Sequence, residues 1–352
     1  MTLAEVLRSI APADQKAAAA ARDRWDSIAK PLGSLGALED AVIRIAAMTG
    51  TPDVDISRRA VVVMCADNGV VAQGVTQTGQ EVTAIVAENM SAGDTSVCVM
   101  ARHAGVEVVP VDIGCATPLK GDRILQKNIR RGTADLTQGP AMTREEAERA
   151  VLTGVEVARD LCAKGVKLLA TGEMGIGNTT TSSAVACVFL NKEPVVMTGR
   201  GAGLSSEGLR RKIRAIETGI ALNQPDPSDP LDVVSKVGGL DLAGLAGVFL
   251  GGALCHVPVL VDGFISSVAA LIAARLCPTC TDYMLGSHAS DEPASKLVLA
   301  ELGLEPFLYA GMRLGEGTGA VAVTPLLDMG LAVYREMTTF EATDIEAYQP
   351  LT

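Results

Sequence analysis

From residue 60 onward, short and almost wholly apolar runs alternate with longer stretches in which apolar residues recur every three or four positions. The short runs are Ala60–Ala66, Val106–Asp112, Val166–Thr171, Pro194–Thr198, Val257–Val261 and Glu305–Tyr309. Runs that are apolar at consecutive positions mark strands covered on both faces, and hence a mainly parallel sheet. The longer stretches predict helices. The clearest opens at Thr143-Arg-Glu-Glu146, where a hydroxyl and a carboxylate are spaced to satisfy first-turn amides reciprocally. Ala147, Ala150, Val151, Val155, Ala158 and Cys162 then share one face. Repeated strand–helix units of this kind predict a doubly wound α/β fold.

The first sixty residues differ. Residues 12–29 are Ala-rich and charged and predict a helix. Lys30-Pro-Leu-Gly-Ser-Leu-Gly-Ala-Leu-Glu39 predicts an ordered bend before a second helix running to about Met48. The tail after Thr318 predicts a helix to Met337, then a short polar end. The longest apolar tract, Leu242 to Val261, is bracketed by Asp241 and Asp262 and broken by Gly251-Gly252, His256 and Pro258. A buried helix feeding a buried strand explains it better than a membrane span. The amino terminus carries Glu5 and no long apolar core, unlike a signal peptide.

Length adds that 352 residues, at roughly 150 per domain, make two domains or one large domain with an appendage. With 30 basic and 41 acidic residues the net charge is −11, which disfavours nucleic acid and anionic membranes as partners. Aromatics at 3% leave little for base-stacking platforms. The eight cysteines are mostly scattered through apolar runs, as expected of reduced thiols in a cytoplasmic protein. The close pair Cys277-Pro-Thr-Cys280 fits a structural turn better than half of a metal or redox site.

Ligands of an open parallel sheet bind beyond the carboxyl ends of its strands. There the chain places Asp67-Asn68-Gly69, Asp112-Ile113-Gly114, Gly172-Glu173-Met174-Gly175-Ile176-Gly177-Asn178-Thr179, Gly199-Arg200-Gly201-Ala202-Gly203, Asp262-Gly263 and Arg313-Leu314-Gly315-Glu316-Gly317-Thr318-Gly319. The Gly172–Thr179 segment has phosphate-loop spacing without the lysine that reaches outer phosphates. It is either a single-phosphate cradle or a tight strand–helix turn. The missing lysine weakens an ATP-dependent kinase. The glycine runs lack the dinucleotide spacing, which disfavours a dehydrogenase. Glu173 and Glu316 lie next to glycines. Each is either a shielded pocket acid with a raised pKa, suited to general base work, or a solvated turn acid. With His103, His256 and His288 the only histidines, a Ser–His–Asp triad has little support.

The strings just quoted, together with Gln80-Glu-Val-Thr83 and Val261-Asp-Gly-Phe264, occur in one order along the chain. In that order the chain resembles the nicotinate-nucleotide–dimethylbenzimidazole phosphoribosyltransferase family over essentially its whole length. The resemblance implies a Rossmann-like α/β catalytic domain, residues 60–317, and a small helical domain from both chain ends, 1–59 and 318–352. It implies a homodimer in which the N-terminal segment completes the partner's site, with no metal or organic cofactor. The implied reaction moves the 5-phosphoribosyl group of nicotinate mononucleotide to a ring nitrogen of 5,6-dimethylbenzimidazole, giving α-ribazole 5′-phosphate and nicotinate.

By motif, Glu316 resembles the catalytic base that takes the azole proton. Glu173 and Lys212 resemble secondary catalytic or donor-orienting residues. Gln80 resembles the side chain lining the base pocket, and Leu314 its apolar wall. Gly175, Gly177, Asn178, Gly201, Ala202, Gly263, Ser290 and Gly315 resemble substrate contacts. Two stretches depart from the family pattern: Asn68 stands where many relatives carry His, and Thr76-Gln77-Thr78-Gly79 replaces an aromatic and Pro. The acceptor is therefore open to a purine, another benzimidazole or a phenolic. A non-catalytic nucleotide-binding subunit is the contrasting reading, and the retained Glu316 speaks against it.

Overall fold

The structure, a computed structural model, describes residues 1–348. Helices α1 (Leu3–Ser9), α2 (Gln15–Ser27) and α3 (Ala37–Thr49) precede β1 (Arg59–Ala66). Then α4 (Glu81–Ala92) and α5 (Ser96–Ala104) lead to β2 (Val106–Gly114) and β3 (Leu125–Gln126), and α6 (Arg144–Ala163) leads to β4 (Leu168–Met174). The longest connection holds α7 (Asn178–Leu190), α8 (Pro194–Met197), α9 (Ser206–Asn223), α10 (Pro230–Val237) and α11 (Leu240–Leu254) before β5 (Val259–Val261). α12 (Phe264–Leu276), β6 (Met284–Gly286), α13 (Ser295–Glu301) and α14 (Thr318–Glu336) follow.

The sheet order is β3-β2-β1-β4-β5-β6 and every pairing is parallel. This is the Rossmann-like doubly wound arrangement. The chain winds outward from β1 to β3, returns to the centre at β4 and winds the other way. The crevice between the carboxyl ends of β1 and β4 is therefore the expected ligand position. All eight residues of β1 are buried, as strands covered on both faces require. α11 is buried at every position except its last, which accounts for the continuous apolar tract. The capping box at Thr143 is formed, with Thr143 Oγ1 accepting from Glu146 N–H and Glu146 accepting from Thr143 N–H. Among the described residues, no helix is long and apolar enough to cross a membrane.

Two expected strands are corrected. Pro194–Thr198 contains helix α8, with Pro194 in its first turn, where a missing N–H is harmless. Its Val195 and Val196 are exposed, so the run does not sit in a sheet. Glu305–Tyr309 contributes only an isolated bridge between Leu308 and His288. The edges are instead β3 and β6, two and three residues long, too short to show a period. β4 runs on to Met174, so Glu173 stands on a strand and not in a loop.

The chain ends meet. Trp25 of α2 packs on Tyr334 of α14 with ring centroids 5.0 Å apart, and Arg24 Nε donates to Tyr334 O at 2.9 Å. The buried Lys30–Glu39 ion pair at 2.6 Å, with Leu35 N–H also donating to Glu39, fixes the bend between α2 and α3. α14 also packs on α5 and β4. The last four residues of the polar end, 349–352, lie outside the described residues. Cys277 and Cys280 are buried at the start of a turn in which Cys280 N–H donates to Cys277 O at 2.9 Å.

Candidate active site

A cavity of about 370 Å³ opens at the carboxyl ends of β4 and β5. Its walls include β4's end, the loop into α7, the 199–204 segment, the start of α12 and the 313–316 loop. The 199–204 and 313–316 segments follow no strand, yet tertiary packing brings both to the sheet's carboxyl edge. All the candidate residues except Gln80 and Lys212 line this cavity.

Glycines set the site's close geometry. Gly315, Glu316 and Gly317 have φ of +88°, +61° and +89°, three left-handed residues in succession. Such a path suits glycine and costs another residue about 1–2 kcal/mol. It presses the loop onto β4: a Cβ on Gly172 would stand 2.5 Å from Glu316 O, and one on Gly315 would stand 2.4 Å from Glu173 Oε1. Glu316, held between them, is half-buried. Its Oε2 accepts from Val97 N–H at 3.2 Å, in the first turn of α5. Burial pushes its pKa above the usual carboxylate range, only partly offset by that amide.

Glu173 is buried more deeply. Desolvation, opposed by the Asn178 amide and assisted by Asp241, Asp262 and Glu316, raises its pKa to about 8. Asn178 Nδ2 donates both to Glu173 Oε2 and, at 3.1 Å, to Asp241 Oδ2. One side-chain amide thus ties two buried carboxyl groups together. Burial raises Asp241 to about 6. Asp262, also pushed up by burial, accepts from Ala320 N–H at 2.9 Å in the first turn of α14. His288 Nδ1 stands 3.1 Å from Ser287 Oγ and 3.9 Å from Asp262 Oδ1.

Cations also surround the cavity. Arg200 and Arg313 line it, and Lys212 stands behind it, fully buried. Lys212 Nζ donates to Thr179 Oγ1 at 2.8 Å and Gly199 O at 3.2 Å. A Cβ on Gly201 would be 3.6 Å from that nitrogen. Desolvation lowers its pKa to about 8, against the raising effect of Glu292. The first turn of α12 adds the Ser266 hydroxyl, buried on the cavity wall with no partner among the described residues. Gln77 donates to Gly203 O and joins the 75–78 segment to the glycine-rich wall.

Gln80 is turned away, its Nε2 donating to Asn68 O at 3.1 Å. Of the two departures from the family pattern, Thr76, Gln77 and Thr78 line the cavity. Asn68 does not: it is fully buried beneath, beside Thr181 and Gly177. Asp241 and His288 had no assigned role in the sequence, and Asp262 appeared there only as a strand-end residue. The Asp-Gly step after a buried strand was the one available signal, because the partners of these residues come from distant segments.

A family model described as phosphoribosyltransferase matches residues 10–345. The nicotinate-nucleotide–dimethylbenzimidazole phosphoribosyltransferase of Acetivibrio thermocellus is 48% identical over 348 residues, covering 99% of each chain. The enzyme of the same name from Clostridium acetobutylicum is 45% identical over 351 residues and covers both chains completely. The crystal structure of CobT from Thermus thermophilus superposes with a TM-score of 0.90 at 41% identity, covering 94% of this chain and 99% of that one.

Proposed function

This chain belongs to the nicotinate-nucleotide–dimethylbenzimidazole phosphoribosyltransferase family, and from that premise we propose how its cavity carries out the transfer. The enzyme moves the 5-phosphoribosyl group of nicotinate mononucleotide to a nitrogen of dimethylbenzimidazole, the step that activates the lower ligand of cobamides. The departing nicotinate is a pyridinium in the donor, so it leaves without being protonated and no general acid is required. The acceptor must lose a proton as its nitrogen attacks. Glu316 is the base: it is desolvated, fixed by Val97 N–H and aimed into the cavity.

Glu173, with a pKa of about 8, holds a proton at neutral pH and donates a hydrogen bond to the donor ribose. Asp262 turns its carboxyl group toward the anomeric carbon, where positive charge develops. Arg200, Lys212 and the amides near Gly201 and Ala202 receive the phosphate. Gly175, Gly177, Gly263, Ser266 and Ser290 hold the ribose phosphate, and Leu314 covers the acceptor. In this reading Gln80 supports the base pocket from behind through Asn68. The family resemblance extends the proposal to a cytoplasmic homodimer whose helical part combines residues 1–59 and 318–352.

One observation carries the mechanism: the desolvated Glu316 carboxylate, held by Val97 N–H, lines the same cavity as Gly201 and Ala202. The test is nicotinate release from nicotinate mononucleotide with and without dimethylbenzimidazole. Base-dependent release is the expected result. Release only with a purine or a phenolic would change the acceptor and keep the reaction. No release with any of them would end the proposal. Sedimentation of the purified chain checks the dimer.

A further inference from the structure

The carboxyl-terminal ends of α6 and α11 carry two cysteines that the transfer chemistry does not use. Cys162 lies in the last turn of α6, and Cys255 caps α11. The two helices run side by side with their backbones in contact. A Cβ on Gly154 would stand 1.9 Å from Gly244 O, one on Gly247 1.9 Å from Val151 O, and one on Gly251 2.6 Å from the Ala158 Cβ. The contacts advance in step along both helices: residues 151 and 154 meet 244 and 247, and then 155 and 158 meet 251. One further turn adds about four residues to each helix. That register sets Cys162 against Cys255.

Helices packed through ordinary side chains keep their axes about 8–10 Å apart. Glycines at this seam bring the backbones closer, toward the roughly 4.4–6.8 Å between Cα atoms that a disulfide needs. Both cysteines line one surface cleft with Glu156, Arg159 and Asp160. They are also the two half-buried cysteines of the eight, the other six being buried. The neighbouring Cys162 thiol pulls the Cys255 thiol below its ordinary pKa, and the Arg159 guanidinium acts in the same direction.

We infer that Cys162 and Cys255 form a dithiol that a hydroperoxide converts to a reversible disulfide across the α6–α11 seam. The Cys255 thiolate attacks one peroxide oxygen and the O–O bond breaks. The leaving oxygen takes a proton and departs as water or an alcohol, leaving a sulfenic acid on Cys255. The Cys162 sulfur then displaces the sulfenic hydroxyl, which leaves with the Cys162 proton as water. Two thiols are oxidised and one peroxide is reduced. The cleft lies at the helix ends that precede the amino ends of β4 and β5, across the sheet from the substrate cavity. Closing it cross-links the fold without obstructing substrate.

The test is titration of the reduced full-length chain with hydrogen peroxide, followed by intact mass, peptide mapping and alkylation of the remaining thiols. The expected result is a chain lighter by two hydrogen atoms, with Cys162 joined to Cys255 and the change undone by dithiothreitol. The oxidised form should melt at a higher temperature and release nicotinate at the unoxidised rate. Cys162→Ser should stop the reaction at a Cys255 sulfenic acid that dimedone traps, with nicotinate release unchanged. The inference is overturned if both thiols stay alkylatable, if another pair closes, if chains cross-link to one another, or if Cys162→Ser yields no sulfenic acid.

Discussion

Replacing Glu316 with Gln removes a proton acceptor and little else. Its φ of +61° carries a left-handed cost of about 1–2 kcal/mol. Gln bears the same cost, so the fold is not asked to change. The Gln carbonyl can still accept from Val97 N–H, which reaches Glu316 Oε2 at 3.2 Å. The segment around Gly201 and Lys212 is untouched. Base catalysis contributes roughly 10²–10⁴-fold, equivalent to about 2.7–5.4 kcal/mol on the barrier. Steady-state nicotinate release, followed from pH 5 to 9, separates the parameters. We expect kcat to fall at least about 100-fold, while KM for nicotinate mononucleotide stays within about threefold. Burial raises the Glu316 pKa, so wild-type kcat should decline as pH falls through that pKa, and the variant should lose this limb. A variant that turns over within a few-fold of wild type, or keeps the same acidic limb, refutes Glu316 as the base.

Gly315→Ala combines φ of +88° with a Cβ 2.4 Å from Glu173 Oε1; urea unfolding should show a loss of about 1–3 kcal/mol together with lower kcat, and unchanged values would mean the loop does not seat on β4 as described. Glu173, at about 8, keeps a proton in the native state that the unfolded chain releases near its ordinary pKa, so stability should fall as pH rises from about 5 to 8. Glu173→Gln should flatten that slope when urea midpoints are compared at the two ends, and an unaltered slope would place the titration elsewhere. Lys212 loses its charge above about pH 8, so KM for nicotinate mononucleotide should rise there. Lys212→Met should raise KM about 10-fold or more at pH 7, the loss of a charge-assisted hydrogen bond, and abolish that rise; a flat KM in both proteins would detach the lysine from the phosphate.

Much of the fold was legible because burial of a parallel sheet acts on each strand locally. Ala60–Ala66 is apolar at consecutive positions since both its faces are covered, and that requirement leaves its mark on the sequence whatever the neighbouring strand is. The loops around Gly177 and Glu316 were legible for a similar reason. Left-handed backbone and close approach to β4 admit glycine almost alone, so the constraint is written at the position that bears it. Short edge elements escaped. Two residues of β3 and three of β6 carry no period, and the five residues from Pro194 to Thr198 read equally well as strand or helix until their exposure is known.

Sequence alone therefore determined the alternation of elements, the double winding, the glycine-bound turns and, through ordered strings, the family. Tertiary structure decided the strand order, which sets the ends of β4 and β5 side by side at the cavity. It decided that Asn178, which holds Glu173, also reaches Asp241 63 positions away, and that Glu316 finds its anchor at Val97, 219 positions away. It also decided that Gln80 faces Asn68, and that Cys162 and Cys255 line one cleft. The division has a physical cause. Backbone conformation and burial act on a residue through its immediate chain neighbours, whereas hydrogen bonds and desolvation in a pocket depend on which distant segments the crossovers bring to the same place.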